Sequence, residues 1–234
     1  MPSQSTRRWA IWGLALGAVL AVAYVAQVDL WVGGFWHGLP PGSSASSAGL
    51  SASTRAGSTA PASSQAAAVS RPANWARPIA VKSAGNFFQV ADNLYRGEQP
   101  TTEGFASIKA MGIRTIVNLR VLHSDKKLMG DASFNYVEIE FDPIHAETED
   151  IVEFLKIAAD PAQQPVFVHC QHGSDRTGTM IAAYRIAVQG WTNEEALDEM
   201  VNGGYGFHEQ WINLAQFVRR LDAKALRRQA GLDK

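Results

Sequence analysis

Pro165-Val166-Phe167-Val168-His169-Cys170-Gln171-His172-Gly173-Ser174-Asp175-Arg176-Thr177-Gly178 contains the only cysteine of a 234-residue chain, with an arginine following after five intervening residues. Residues 165–169 are apolar, β-branched and aromatic, and Pro161 precedes them, so they read as a short buried strand. Residues 176–188 contain good helix formers, with Met180, Ile181, Tyr184, Ala187 and Val188 apolar at helical spacing and Gly190 as a stop. The chain between them must therefore fold back tightly into a helix N-terminus. Backbone N–H groups there have no intrahelical partner and point toward any anion held in the turn. Gly173 and Gly178 allow the backbone the close approach that such a turn needs.

This arrangement suits gripping a phosphate dianion and attacking its phosphorus with sulfur. A free thiol titrates near pH ~8.5, and a helix N-terminus with an adjacent cation shifts cysteines toward the nucleophilic thiolate. Arg176 offers a planar fork to two phosphate oxygens and can match charge in the transition state. Gln171, His172, Gly173, Ser174 and Asp175 are expected to line the substrate pocket with Arg176. Thr177 is expected to donate a hydrogen bond to the sulfur, and His169 to order the loop through backbone contacts. His172 would add positive charge at mildly acidic pH or sit on the rim. A lone cysteine is ordinarily a small buried hydrophobe. That reading leaves the histidine, glycines, arginine and threonine at their offsets unexplained.

His169-Cys170-x5-Arg176-Thr177-Gly178 resembles the signature loop of the cysteine-dependent protein tyrosine phosphatase superfamily, and its extension through Met180-Ile181-Ala182-Ala183-Tyr184-Arg185 is similar to the small bacterial dual-specificity branch. Asn93-Leu94-Tyr95-Arg96-Gly97-Glu98-Gln99-Pro100, Val117-Asn118-Leu119-Arg120 and Gly203-Gly204-Tyr205-Gly206-Phe207-His208 support that branch, and the resemblance covers about residues 86–222. It implies a two-step phosphomonoester hydrolysis through a phosphocysteine intermediate, with neither metal nor cofactor. The implied substrate is a protein phosphorylated on tyrosine, or on serine or threonine as well, or a small phosphorylated molecule. It also implies an aspartate upstream of the cysteine, in a loop between a strand and a helix, acting as general acid and then base. Residues 134–140 alternate as a strand does, and Thr148, Glu149 and Asp150 suit the start of a helix running to about Ala159. Asp142, 28 positions before Cys170, lies in the loop between and is assigned the acid, with Glu147 as runner-up. Glu138, Glu140 and Glu147 are expected to keep it protonated by like-charge repulsion.

Three other readings compete. Relatives acting on phosphoinositides place a lysine near Ser174, which argues against a strongly polyanionic substrate here, whereas Asp175 occurs in lipid-active branches and argues for a lipid or inositol phosphate. A non-catalytic phosphate-binding module would have no need of Cys170, Arg176 and Asp142 together. A sulfur transferase of the rhodanese type also sets a cysteine in an anion-binding loop, but the loop length and the Arg-Thr-Gly exit favour phosphatase chemistry.

The rest of the chain supplies a frame. A net charge of −1 gives no case for a nucleic-acid surface, and one cysteine excludes an internal disulfide. Residues 1–8 form a short arm carrying Arg7 and Arg8, and residues 9–32 read as a membrane anchor or signal peptide. The apolar run at residues 9–26 would span about 27 Å as a helix, close to the ~30 Å hydrocarbon core. Trp9, Trp12, Trp31 and Trp36 lie near its ends, and the arginines before it orient the N-terminus to the cytoplasm. The expected location is the inner membrane with the catalytic domain on the periplasmic side. Cleavage after Ala21-Val22-Ala23 would release it instead. Residues 33–76 are dominated by Ser, Ala, Gly and Pro and read as a flexible linker, and residues 77–234 as the phosphatase domain.

Within that domain, residues 87–90 and 94–96 read as a hairpin turning at Asp92-Asn93. A helix over residues 101–111, a strand over 114–118, a helix capped by Asn193 and a final helix over residues 208–227 complete the pattern. Alternating strands and helices predict an α/β domain with a central, mixed or mostly parallel sheet flanked by helices. Arg96 and Arg120 are taken as structural, and Tyr205, Phe207 and His208 as packing residues that could border the pocket.

Overall fold

Strand β6 (Val166–His169) lies at the centre of a six-stranded sheet and is buried along its whole length. The computed structural model describes residues 71–233, so the anchor assigned to residues 9–32 and most of the linker lie outside the described residues. The sheet order is β1 (Arg77–Pro78), β2 (Phe88–Ala91), β3 (Leu94–Gly97), β6, β4 (Thr115–Asn118), β5 (Asn135–Glu138). β3, β6, β4 and β5 pair in parallel, while β1 and β2 extend the sheet antiparallel from β3. The sheet is thus mixed and mostly parallel, as the alternation of elements predicts.

Side chains alternate across each strand, so successive residues enter different cores. Val166, Val168 and Val117 face the larger core with helices α3 (Thr148–Ala158) and α4 (Asp175–Ala187). Phe167 and Ile116 face the smaller core with Phe105 and Ile108 of α1 (Thr102–Ala110). Helix α4 is buried around nearly its whole circumference, which accounts for apolar or small residues on every side of it. Beside it pack α5 (Asn193–Asn202), α6 (Ile212–Arg219) and α7 (Ala223–Ala230). A four-residue helix α2 (Lys126–Met129) follows β4.

Two helix readings are corrected. Thr192, not Asn193, caps α5, through a reciprocal capping box with Glu195. The Asn193 amide instead holds the carbonyls of Val218 and Leu221, fastening α5 to the end of α6. The expected helix over residues 208–227 is broken into a 3-10 turn (Glu209–Trp211), α6 and α7. Asp222 restarts the chain as the cap of α7, accepting from Lys224 and Ala225 N–H groups, and so competes successfully with continuation of α6. Among the described residues no helix is long and apolar enough to cross a membrane.

Candidate active site

The carboxyl end of β6 delivers Cys170 into the crevice where parallel α/β sheets bind ligands. Cys170 is buried and only 2% exposed. Ser174 occupies the N-cap of α4 but makes no capping bond, because its hydroxyl turns inward to the Tyr205 carbonyl at 2.6 Å. The first N–H groups of α4 are therefore not claimed by that side chain and face the loop's interior. Arg176, in the first turn, is half-buried and makes no hydrogen bond or ion pair among the described residues. A half-buried cation with open donors next to a thiol is poised for an external anion.

The loop's shape is set by what lies beneath it. Gly173 has φ +70°, and a Cβ there would lie 2.4 Å from the Gly97 carbonyl carbon and 2.6 Å from the Glu98 nitrogen. Both atoms are backbone, so neither can swing aside. Gly173→Ala is expected to lose about 3 kcal/mol, the sum of left-handed strain and overpacking. Urea unfolding measures this, and wild-type stability in the variant would mean the loop is not seated on β3. Arg96, fully buried, donates through Nη2 to the Gly173 carbonyl at 2.6 Å and stacks 3.6 Å over the Tyr205 ring. Burial holds its pKa below the ordinary guanidinium value, against the opposing influence of Tyr205 and Glu199. Asn86 bridges the carbonyls of His172 and Tyr205, and the Gln99 N–H donates to the Gln171 carbonyl.

His169 contacts the loop backbone at Cys170 and has a further partner that the sequence reading missed. Its ring is held between the Cys170 carbonyl at 3.1 Å and the Asp125 carboxylate at 2.8 Å. Burial would raise the fully buried Asp125, yet hydrogen bonds from His169 and Gln99 outweigh it and hold its pKa below the usual carboxylate value. Nothing local marks Asp125 in the sequence; only the fold brings it 44 positions along the chain to His169.

The other loop residues divide by direction. Gln171 and His172 are exposed on the rim, whereas Gly173, Ser174 and Asp175 are buried. Asp175 does not face solvent: its carboxylate takes the His208 N–H at 2.8 Å and lies 2.8 Å from the His208 ring. The His172 and His208 rings lie 5.5 Å apart. Burial and then His208 hold the His172 pKa below the ordinary imidazole value despite Asp175, so charging it needs more acid than the sequence suggested. The Thr177 hydroxyl is buried without a hydrogen-bond partner, and the expected bond to the sulfur is not formed.

Asp142 lies on the loop between β5 and α3, where it was sought, with its side chain 48% exposed. Its carboxylate accepts from the Ile144 N–H at 2.9 Å and approaches the His145 ring at 3.4 Å. Phe141 is buried on one side, and Asn213 of α6 donates to the Pro143 carbonyl at 2.6 Å on the other. This loop is thus fastened to the body of the domain at both ends of Asp142-Pro143. Of its acidic neighbours, Glu140 is engaged by the Leu122 N–H at 3.2 Å. Among the described residues no cluster of three or more His, Cys, Asp or Glu could hold a metal ion.

A buried cysteine at the end of a central parallel strand, an open arginine on the helix behind it and an aspartate on a neighbouring loop define a cysteine-dependent phosphatase. The chain belongs to the DSP-PTPase family: residues 69–219 match the model of the DSP-PTPase phosphatase fused to NAD+ kinase. The dual specificity protein phosphatase TpbA of Pseudomonas aeruginosa is 33% identical over 164 residues, 68% of this chain and 72% of that protein. The crystal structure of a cysteine-to-serine form of TpbA in complex with phosphotyrosine superposes with a TM-score of 0.63 at 27% identity, covering 70% of this chain and all of that one. An inositol diphosphatase of Arabidopsis thaliana, DSP3, is 27% identical over 154 residues, 61% of this chain and 72% of that protein.

Proposed function

We propose that the protein hydrolyses phosphotyrosine, and with it other phosphorylated side chains, in protein substrates. The observation that carries this reading is the single open guanidinium of Arg176 beside Cys170, in a loop containing no other lysine or arginine. Ser174 faces inward, and partial desolvation with the neighbouring His208 holds the His172 pKa below the ordinary imidazole value, so the loop offers one fixed cation to one phosphate. The phosphotyrosine complex of a relative is consistent with that. In this reading the Cys170 thiolate attacks phosphorus as the P–O bond to the leaving group breaks, and Asp142 protonates the departing oxygen. Asp142 then takes a proton from water, which attacks the phosphocysteine and releases phosphate and the free thiolate. A panel containing phosphotyrosine peptides, inositol polyphosphates and phosphatidylinositol phosphates tests the substrate class. Faster turnover of an inositol polyphosphate than of every peptide would overturn it in favour of the activity named for the plant relative.

Asp142→Asn is expected to lower turnover of alkyl phosphates about 10²-fold. Its effect on p-nitrophenyl phosphate, whose leaving group needs little protonation, should be much smaller. Full turnover of alkyl phosphates by Asp142→Asn, with loss in Glu147→Gln, would move the acid to Glu147.

We also propose that residues 9–32 anchor the chain in the inner membrane with the phosphatase on the periplasmic side, on the strength of Arg7-Arg8 preceding an apolar run. Protease added to intact spheroplasts should then digest the catalytic domain. Protection equal to that of a cytoplasmic marker contradicts this placement.

A further inference from the structure

The last residues before the first strand are held on the domain. Arg71 donates through Nε to the Ala76 carbonyl at 2.9 Å and through Nη2 to the Tyr205 hydroxyl at 2.7 Å, while Nη1 donates to the Gly203 carbonyl. Its guanidinium lies 5.1–5.6 Å from the ring centres of Trp75, Phe88 and Tyr205. Ala76 is buried, and its N–H donates to Glu199 at 2.6 Å.

The residue that Arg71 grips is also the residue on which the phosphate loop rests. Tyr205 is buried, with Arg71 5.2 Å and Arg96 3.6 Å from its ring centre, and Arg96 holds the Gly173 carbonyl. Two cations on one aromatic ring repel, but Glu199 offsets them by accepting from the Tyr205 hydroxyl and pairing with Arg185. The Tyr205 carbonyl takes the Ser174 hydroxyl, and through Asn86 it is tied to the His172 carbonyl. Three consecutive residues of the loop, His172, Gly173 and Ser174, are therefore referenced to Tyr205. Gly204 and Gly206, on either side of it, have φ of +75° and +78°, and neither has a side chain to fix the turn. External fastening must supply what local side chains do not.

We infer that Arg71 is a positioning residue for the phosphate-binding loop, acting through Tyr205, so that the catalytic unit begins at the end of the linker. It touches no reacting atom. Its removal should let Tyr205 shift and loosen the loop, weakening binding of an oxyanion as well as folding. Errors of an ångström in such loops are costly in rate.

The test uses the full-length chain and orthovanadate as the probe of the loop, with p-nitrophenyl phosphate turnover beside it. Arg71→Gln is expected to weaken vanadate inhibition about five- to tenfold, and Tyr205→Phe, which keeps the ring and removes the gripped hydroxyl, by a similar factor. The double variant should be no worse than about either alone, because both remove one linkage. Asp222→Ala, which uncaps α7, should lower the melting temperature without changing vanadate affinity. The inference fails if Arg71→Gln lowers the melting temperature as Asp222→Ala does while vanadate inhibition is unchanged. It fails equally if the two single effects multiply in the double variant. The inference rests on the loop being the phosphate site, which vanadate inhibition of the wild-type chain checks independently.

Discussion

Cys170→Ser is expected to abolish hydrolysis of aryl phosphates, lowering turnover by at least about 10⁴-fold, the scale seen when a committed nucleophile is removed. The exchange of sulfur for oxygen at a side chain only 2% exposed costs little packing. It replaces the nucleophilic sulfur with a hydroxyl, which is a far weaker nucleophile without a general base beside it. The remaining anion-binding parts, the N-terminus of α4 and Arg176, are untouched. The variant should therefore still capture a phosphotyrosine peptide while failing to turn it over, and equilibrium binding of such a peptide separates the two effects. Hydrolysis at the wild-type rate would falsify the cysteine mechanism, because no other cysteine exists in the chain.

Arg176→Lys is expected to lower kcat/KM about 10³-fold although the charge is kept. The reason is geometry. A guanidinium presents two parallel donors that can follow two equatorial phosphoryl oxygens as they spread in the transition state, and an ammonium presents a point charge on a mobile stem. Arg176 lies in the first turn of the most buried helix of the domain, so its Cα cannot move to compensate. Steady-state kinetics on p-nitrophenyl phosphate decide it. Activity in Arg176→Lys within tenfold of wild type would mean that charge alone, and not the fork, serves the reaction.

The loop and its flanks were legible because they are local. A buried strand, a glycine-bearing turn and a helix follow one another without a break, and each announces itself in neighbouring residues. The placement of Asp142 between a strand and a helix was legible for a similar reason, since it depends on the end of one strand and the start of one helix. Asp125 and the grip of Arg71 on Tyr205 were not. Both join residues far apart in sequence, at separations of 44 and 134 positions, and each is an ordinary polar residue until the fold brings its partner. Ser174 shows the opposite failure. As a loop residue it was expected to edge the pocket, but a buried carbonyl needing a donor took its hydroxyl inward. The division of residues 208–227 into separate helices was missed because helical spacing of apolar residues continues across the break, while the capping preference of Asp222 was given too little weight.

The solitude of Cys170 has a consequence for the life of the enzyme outside its catalytic cycle. A nucleophilic thiolate is also the form that peroxide oxidises, first to a sulfenic acid that can still be recovered and then to acids that cannot. Many oxidised thiols are rescued by a second cysteine that traps the sulfenic acid as a disulfide. This chain has no second cysteine to do so. Recovery must come from a backbone nitrogen closing on the sulfur within the loop, or from a thiol brought by another molecule. Burial of the sulfur, which is only 2% exposed, then leaves little of it open to oxidants between turnovers.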